Sequence, residues 1–186
     1  MRQTLALSAA MLLVAASAGA AAAFDYNSAY TDIDLDNCTV MLADDMGVSY
    51  ACPGYKGWPL YVAEGDLRFM VSYGFGADEE KAAKQTPPPF NYLGPKIEWR
   101  LSNTDGNWKP FATIVRYYLD NDGPGNPAKQ ILAVTRIEPG KTCQIAYIDA
   151  LENQDANDMA RQFADEKAAG FDCGNEPEIV GTFKAW

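Results

Sequence analysis

The 186-residue chain contains no histidine. That absence removes the Ser-His-Asp and Cys-His arrangements of nucleophilic hydrolases and the commonest ligand of catalytic zinc. No G-x-S-x-G, Walker or G-x-G-x-x-G run occurs, so a nucleophile elbow and the glycine-rich phosphate cradles are missing as well. No two cysteines are spaced C-x-x-C, which sets aside the usual structural zinc centres. Basic side chains are scarce, 15 against 25 acidic, for a formal charge of −10. Nucleic acid and anionic lipid surfaces both demand a basic face, so neither is an expected partner. What remains for catalysis is a carboxylate pair of the glycosidase kind, and with 25 acids some pair is close in any fold. No cofactor is implied, and no metal. Asp32-Ile-Asp34-Leu-Asp36-Asn37 opens like a calcium loop but has Asn37 at the sixth position and Ala43 at the twelfth, and Asp120 to Asn126 reads as turn chemistry.

What the sequence does carry begins with its first residues. Met1 to Thr4 hold one positive charge, an apolar run from Leu5 to Ala16 follows, and small residues continue to Ala23. This is the pattern of a secretory signal peptide over 1–23, with cleavage expected before Phe24 at Ala21-Ala22-Ala23. Alanine dominates the stretch, so a retained membrane helix is the weaker reading. The expected product is one soluble domain, 24–186, periplasmic or secreted. Loss of Arg2 leaves 14 of the 15 basic side chains against all 25 acids, a charge of −11.

The four cysteines, Cys38, Cys52, Cys143 and Cys173, are an even number in a chain bound for an oxidising compartment, and two disulfides are expected. Pairing 38 with 52 follows from strand alternation. A turn near Asp45 sets Cys38 opposite Cys52, Val40 opposite Tyr50 and Leu42 opposite Val48, all on one face. The remaining pair is then Cys143 with Cys173.

After an acidic leader to Asn37, short alternating segments dominate. Pro59–Ala63 and Asp66–Tyr73 flank a turn at Glu64-Gly65, 96–101 and 111–119 flank one at 103–106, and 130–138 and 142–150 flank Pro139-Gly140. Between them, 76–95 holds a helical turn near 78–84 and an extended Pro87-Pro-Pro89 run. One helix is expected over 154–169, with Met159, Ala160, Phe163 and Ala164 as its apolar stripe and Gly170 at its end. The tail from Glu178 to Trp186 is read as an edge strand. The expected fold is α+β and mainly β: an antiparallel sheet or open barrel of about seven to nine strands with one C-terminal helix.

Two groups of residues are candidates for ligand binding. In Cys52-Pro-Gly-Tyr-Lys-Gly-Trp58, proline and glycine stiffen a loop that presents Tyr55, Lys56 and Trp58, unless the aromatics fold back to cap the core. Arg68, Arg100, Arg116 and Arg136 each sit inside an expected strand, pointing away from apolar neighbours, so the four can line one sheet face. Either Asp66, Glu98 and Glu138 neutralise them as a salt-bridged face, or they form a groove for a carboxylate, phosphate or acidic protein loop.

The stretches Tyr30-Thr-Asp-Ile-Asp-Leu-Asp-Asn-Cys38, Ala51-Cys-Pro-Gly-Tyr-Lys-Gly-Trp-Pro-Leu-Tyr-Val62 and Trp108-Lys-Pro-Phe-Ala112 resemble small exported proteins of Gram-negative bacteria that carry no assigned function. Val48-Ser-Tyr-Ala-Cys52 with its glycine-rich β segments is faintly similar to the periplasmic lysozyme inhibitors, small disulfide-stapled β-barrels, with Ser72-Tyr-Gly74 the nearest match to their recognition loop. The resemblance implies a periplasmic or secreted setting, and the Tyr55-Lys56-Trp58 loop or the arginine face is then expected to serve a non-catalytic binding protein of the cell envelope with an anionic or protein partner. A carboxylate hydrolase acting on envelope glycans and a structural envelope component are the alternatives.

Overall fold

The computed structural model describes residues 25–103, 106–120 and 129–184. The leader, the cleavage point and the Asp120–Asn126 run beyond Asp120 lie outside them.

β1 (Asp25–Asp32) comes first, where the sequence suggested only an acidic leader. Four strands follow as an antiparallel meander in chain order: β2 (Thr39–Asp44), β3 (Gly47–Cys52), β4 (Leu60–Gly65) and β5 (Arg68–Tyr73). A second meander comprises β6 (Asn91–Asn103), β7 (Trp108–Leu119), β8 (Lys129–Arg136) and β9 (Cys143–Asp149). The helix α1 (Ala156–Lys167) comes next, then a three-residue strand, β10 (Glu178–Val180). β1 pairs antiparallel with β6, and β10 pairs parallel with β9, giving a six-stranded sheet in the order β1-β6-β7-β8-β9-β10. The chain is therefore α+β, mainly β, with ten strands in two sheets that do not close into a barrel.

Local chemistry explains three departures from the expected registers. The β4–β5 turn falls at Asp66-Leu67, two residues later than Glu64-Gly65, because Gly65 pairs with Arg68. Both turn residues have positive φ, 50° and 58°, as the tight hairpin turns that match strand twist require. In β2, Val40 faces Tyr50 as expected, but an irregularity between Val40 and Leu42 pairs Leu42 with Ser49 and Ala43 with Val48, so the strand's apolar residues do not share one face. The helix starts at Ala156 and passes into a 3-10 turn at Ala168–Gly170.

Two apolar cores hold the layers together. Between the sheets, Leu60, Val62, Val71 and Tyr73 of the smaller sheet meet Ile97, Trp99, Val115 and Tyr117 of the larger. Trp99 is fully buried, donates its Nε1 hydrogen to Thr31 Oγ1 at 2.8 Å, and receives the edge of the Tyr73 ring with centroids 5.5 Å apart. On the opposite face of the larger sheet, Met159 of the expected helix stripe is only partly buried, while Ala160, Phe163 and Ala164, joined by Ala156, are buried on Ile114, Leu132 and Val134. Alanine at three of these four positions lets the helix approach closely, and Phe163 alone adds about 2–3 kcal/mol of apolar burial. The disulfides are Cys38–Cys52 and Cys143–Cys173, with Cα separations of 4.5 and 5.8 Å. Both cystines point to an oxidising, extracytoplasmic compartment. Among the described residues no helix is long and apolar enough to cross a membrane.

Candidate functional site

The larger sheet brings three of the four strand arginines onto one face. Arg100 pairs in register with Ala112, Ala112 with Arg136, and Arg116 lies four residues along β7 from Ala112. That face is covered by α1, and the chain's own C-terminal segment supplies partners. Arg100 makes a two-pronged contact with Asp165, Nε to Oδ1 at 2.9 Å and Nη2 to Oδ2 at 2.6 Å, and donates to Ser28 Oγ at 2.5 Å. Arg136 donates to the Phe171 carbonyl oxygen and pairs with Glu138. Arg116 donates to Gln130 Oε1 at 2.9 Å and to Asn157 Oδ1 at 3.4 Å, beside a cavity of about 240 Å³ that also receives Lys96, Glu98 and Tyr30. A helical residue outside the expected set completes the network: Arg161 donates from Nε to Glu98 Oε1 at 2.6 Å, and this bond holds the guanidinium above its ordinary value. Arg68 stands apart from these three, at the start of β5 in the smaller sheet.

In the Tyr55-Lys56-Trp58 loop the aromatics turn inward. Tyr55 lies against Trp99 with ring centroids 6.1 Å apart, and Trp58 packs on the inter-sheet core. A Cβ on Gly54 would sit 2.1 Å from the Trp58 carbonyl oxygen, so glycine is what lets this loop close down. Lys56 remains exposed, its ammonium 5.3 Å over the Tyr55 ring.

A concavity larger than the one beside Arg116 lies elsewhere, at the end of the inter-sheet core. Val48, Glu64 and Phe69 lie side by side across β3, β4 and β5, two residues on from the Tyr50-Val62-Val71 row that closes the core. Opposite them, Phe90 and Tyr92 come from the start of β6, and Leu35 closes one side. The cleft measures about 520 Å³, within the range of small-ligand pockets. Its aromatic wall is built by a buried asparagine. Asn91 Nδ2 donates to Thr86 Oγ1, Pro87 O and Pro89 O at 3.0, 3.1 and 2.9 Å, and its Oδ1 accepts from the Phe69 amide at 3.0 Å. The proline run, which has few amide hydrogens to offer, is thereby tied to β5 and holds Phe90 in place. Arg68 supports the same ring: its Nε donates to Pro88 O at 2.8 Å and its guanidinium carbon stands 4.9 Å from the Phe90 centroid. Tyr92 is stacked on Tyr118 with centroids 5.0 Å apart.

Phe90 remains 42% exposed and Leu67, at the tip of the β4–β5 turn, 63%. Glu64 and Asp120 also line the cleft, and among the described residues neither forms an ion pair. Among the described residues no serine, threonine, cysteine or lysine lines it. The arrangement suits an apolar body carrying a positive charge: wide aromatic and aliphatic walls, with negative charge at the polar positions. Of the residues singled out in the sequence, the cleft uses Arg68, as a support for Phe90. Glu64, Phe69, Phe90, Tyr92 and Asp120 were not anticipated, although Phe90-Asn91-Tyr92 directly after three prolines is a sequence signal for aromatics held on a stiff mount.

Among the described residues no three carboxylates or thiolates converge to hold a metal. In the Asp32–Asp36 run, Asp32 pairs with Lys96 at 2.6 Å, while Asp34 accepts from the Asp36 amide at 3.2 Å and from Asn37 Nδ2 at 2.6 Å, capping a turn. Comparison of the chain with protein-family models, with curated proteins and with solved structures returns no match.

Proposed function

We propose that this chain is an exported, non-catalytic binding protein of the cell envelope, periplasmic or secreted, and that the cleft between its two sheets receives an apolar or aromatic group bearing a positive charge. The observation that carries this reading is the pairing of the Phe69 and Phe90 rings with Glu64 and Asp120 along one cleft, neither acid forming an ion pair among the described residues. The ligand charge is opposite to the one the strand arginines suggested. Arg100 and Arg136 have their charges met by Asp165 and Glu138, whereas the cleft presents carboxylates and no cation except the flank of Arg68. Among the described residues the cleft lining offers no serine, threonine, cysteine or lysine nucleophile, so turnover there would rest on the Glu64 and Asp120 carboxylates alone.

Two probes of similar shape and opposite charge test this. Benzyltrimethylammonium titrated into the oxidised protein is expected to shift the amide resonances of Glu64, Phe69 and Asn91, while benzenesulfonate leaves them in place. Glu64→Gln combined with Asp120→Asn should weaken the cation by roughly tenfold, the loss of two partly solvated charge contacts of about 0.5–1 kcal/mol each. Equal binding of both probes, or shifts confined to the arginine face, would overturn the assignment.

A further inference from the structure

β2 is an edge strand whose only internal protection is one irregularity, at Met41. Among the described residues nothing pairs with its outer side, and all six of its residues are exposed. Val40, Met41 and Leu42 are 55%, 63% and 59% exposed. Free edges are normally blunted with lysine, proline, inward-pointing charge or short length. The two edges of the larger sheet follow that rule: β1 is polar along Asp25-Tyr-Asn-Ser, and β10 is three residues long. Thr39-Val-Met-Leu-Ala43 has neither lysine nor proline, and its one irregularity lies at Met41.

The edge is also preorganised. The Cys38–Cys52 bridge fixes the start of β2, and at its end Asp44 Oδ1 accepts from the Met46 and Gly47 amides at 2.8 and 3.2 Å. Ordering cost on pairing is therefore low. Val40 and Ala43 pair with Tyr50 and Val48, both of which line the cleft, and a shallower hollow beside Met46 shares Val48, Glu64 and Leu67 with it. Edge and cleft are one continuous surface.

Charge selects the occupant. Asp34 and Asp36 precede β2, Asp44 ends it and Asp45 follows, and among the described residues none of the four forms an ion pair. Acid at both ends disfavours a second copy of the chain in either orientation, because parallel and antiparallel pairing alike set aspartates against aspartates. We infer that β2 accepts an extended, basic segment of a partner protein as a fifth strand of the smaller sheet, with an apolar or aromatic side chain of that segment seated in the cleft. This rests on the cleft as the binding site and names the class of its partner.

The test uses acetylated, amidated eight-residue peptides of alternating lysine and valine, with the glutamate-valine peptide as counterpart. On adding the lysine-valine peptide to the oxidised full chain, the backbone amides of Thr39–Asp44 should exchange with deuterium at least tenfold more slowly. The Val40→Lys, Leu42→Lys variant should lose at least tenfold in peptide affinity, since both positions are solvent-facing and the core is untouched. Its resonance shifts with benzyltrimethylammonium should persist. If that cation binds wild type but the lysine-valine peptide gives no β2 protection, strand addition is wrong and the cleft assignment stands. If neither probe binds, both are wrong. Equal affinity for the glutamate-valine peptide, or a wild-type dimer with β2 already protected, also overturns the inference.

Discussion

Removing Asp165 should destabilise the protein through Arg100. The guanidinium lies under α1 with its side chain 8% exposed, and the Asp165 carboxylate meets two of its nitrogens at 2.9 and 2.6 Å. Asp165→Ala leaves a buried cation with Ser28 Oγ and a Glu98 oxygen 3.9 Å away, the latter already engaged by Arg161. Breaking one side of a buried pair costs about 3–5 kcal/mol, and the residual Glu98 contact places this case near 3 kcal/mol. For a domain of this size that corresponds to a fall in Tm of about 6–12 °C. Arg100→Met, Asp165→Leu together remove both charges and should lie within about 1 kcal/mol of wild type, because desolvating the pair consumed most of its attraction. Urea denaturation of wild type, Arg100→Met, Asp165→Leu and the double variant, followed by tryptophan fluorescence with the disulfides intact, measures the coupling. A loss below about 1 kcal/mol for Asp165→Ala would show that Arg100 is not held as described. So would loss of an anionic ligand from Arg100→Met without a change in stability.

Two further outcomes follow from the cystines and from Glu138. With sequence separations of 14 and 30, replacing Cys38 and Cys52 by serine should cost about 3 kcal/mol, and replacing Cys143 and Cys173 about 4 kcal/mol, if closure of the unfolded chain dominates; equilibrium unfolding in urea gives the order, and the reverse ranking would reject that account. Hydrogen bonds from Arg136 and Lys141 hold the Glu138 carboxyl below its ordinary 4.5. A folded value below the unfolded one makes the contribution complete above the unfolded value and lost as pH falls through the folded one. Stability measured from pH 6 down to pH 2 should therefore decline less in Glu138→Gln than in wild type, and by a small margin because the side chain is 44% exposed. Superimposable slopes would remove Glu138 from the acid response.

Alternation made both meanders and the two disulfides legible, since period-two patterning and cysteine count are local properties. The helix was equally visible, its stripe of Met159, Ala160, Phe163 and Ala164 being independent of context. Three of the four arginines do share a face, as alternation required. What alternation lacks is the identity of whatever lies over that face, and here it is α1, joined through Asp165 and Asn157 from more than 40 residues further on. β1 escaped notice because an edge strand needs only one set of partners and tolerates Asp, Asn and Ser. The cleft was hidden for a related reason: its walls come from β3, β4, β5 and the start of β6, and only the packing of two sheets brings them to one opening. The turn at Asp66-Leu67 was misplaced because Glu64-Gly65 offers the commoner signal, while two non-glycine residues adopt the left-handed region instead.

The order in which the strands are joined has a consequence for how the molecule matures. The smaller sheet is one uninterrupted stretch of chain, and its Cys38–Cys52 bridge spans only neighbouring strands, so it can form early and on its own. β1 instead has to wait for β6, with Asp32 meeting Lys96 and Asp25 meeting Asn103. Contacts of such long reach slow folding. Until β1 returns, the outer side of β6 stays bare, and the interval before that docking is when this edge is most exposed to wrong pairing and to proteases.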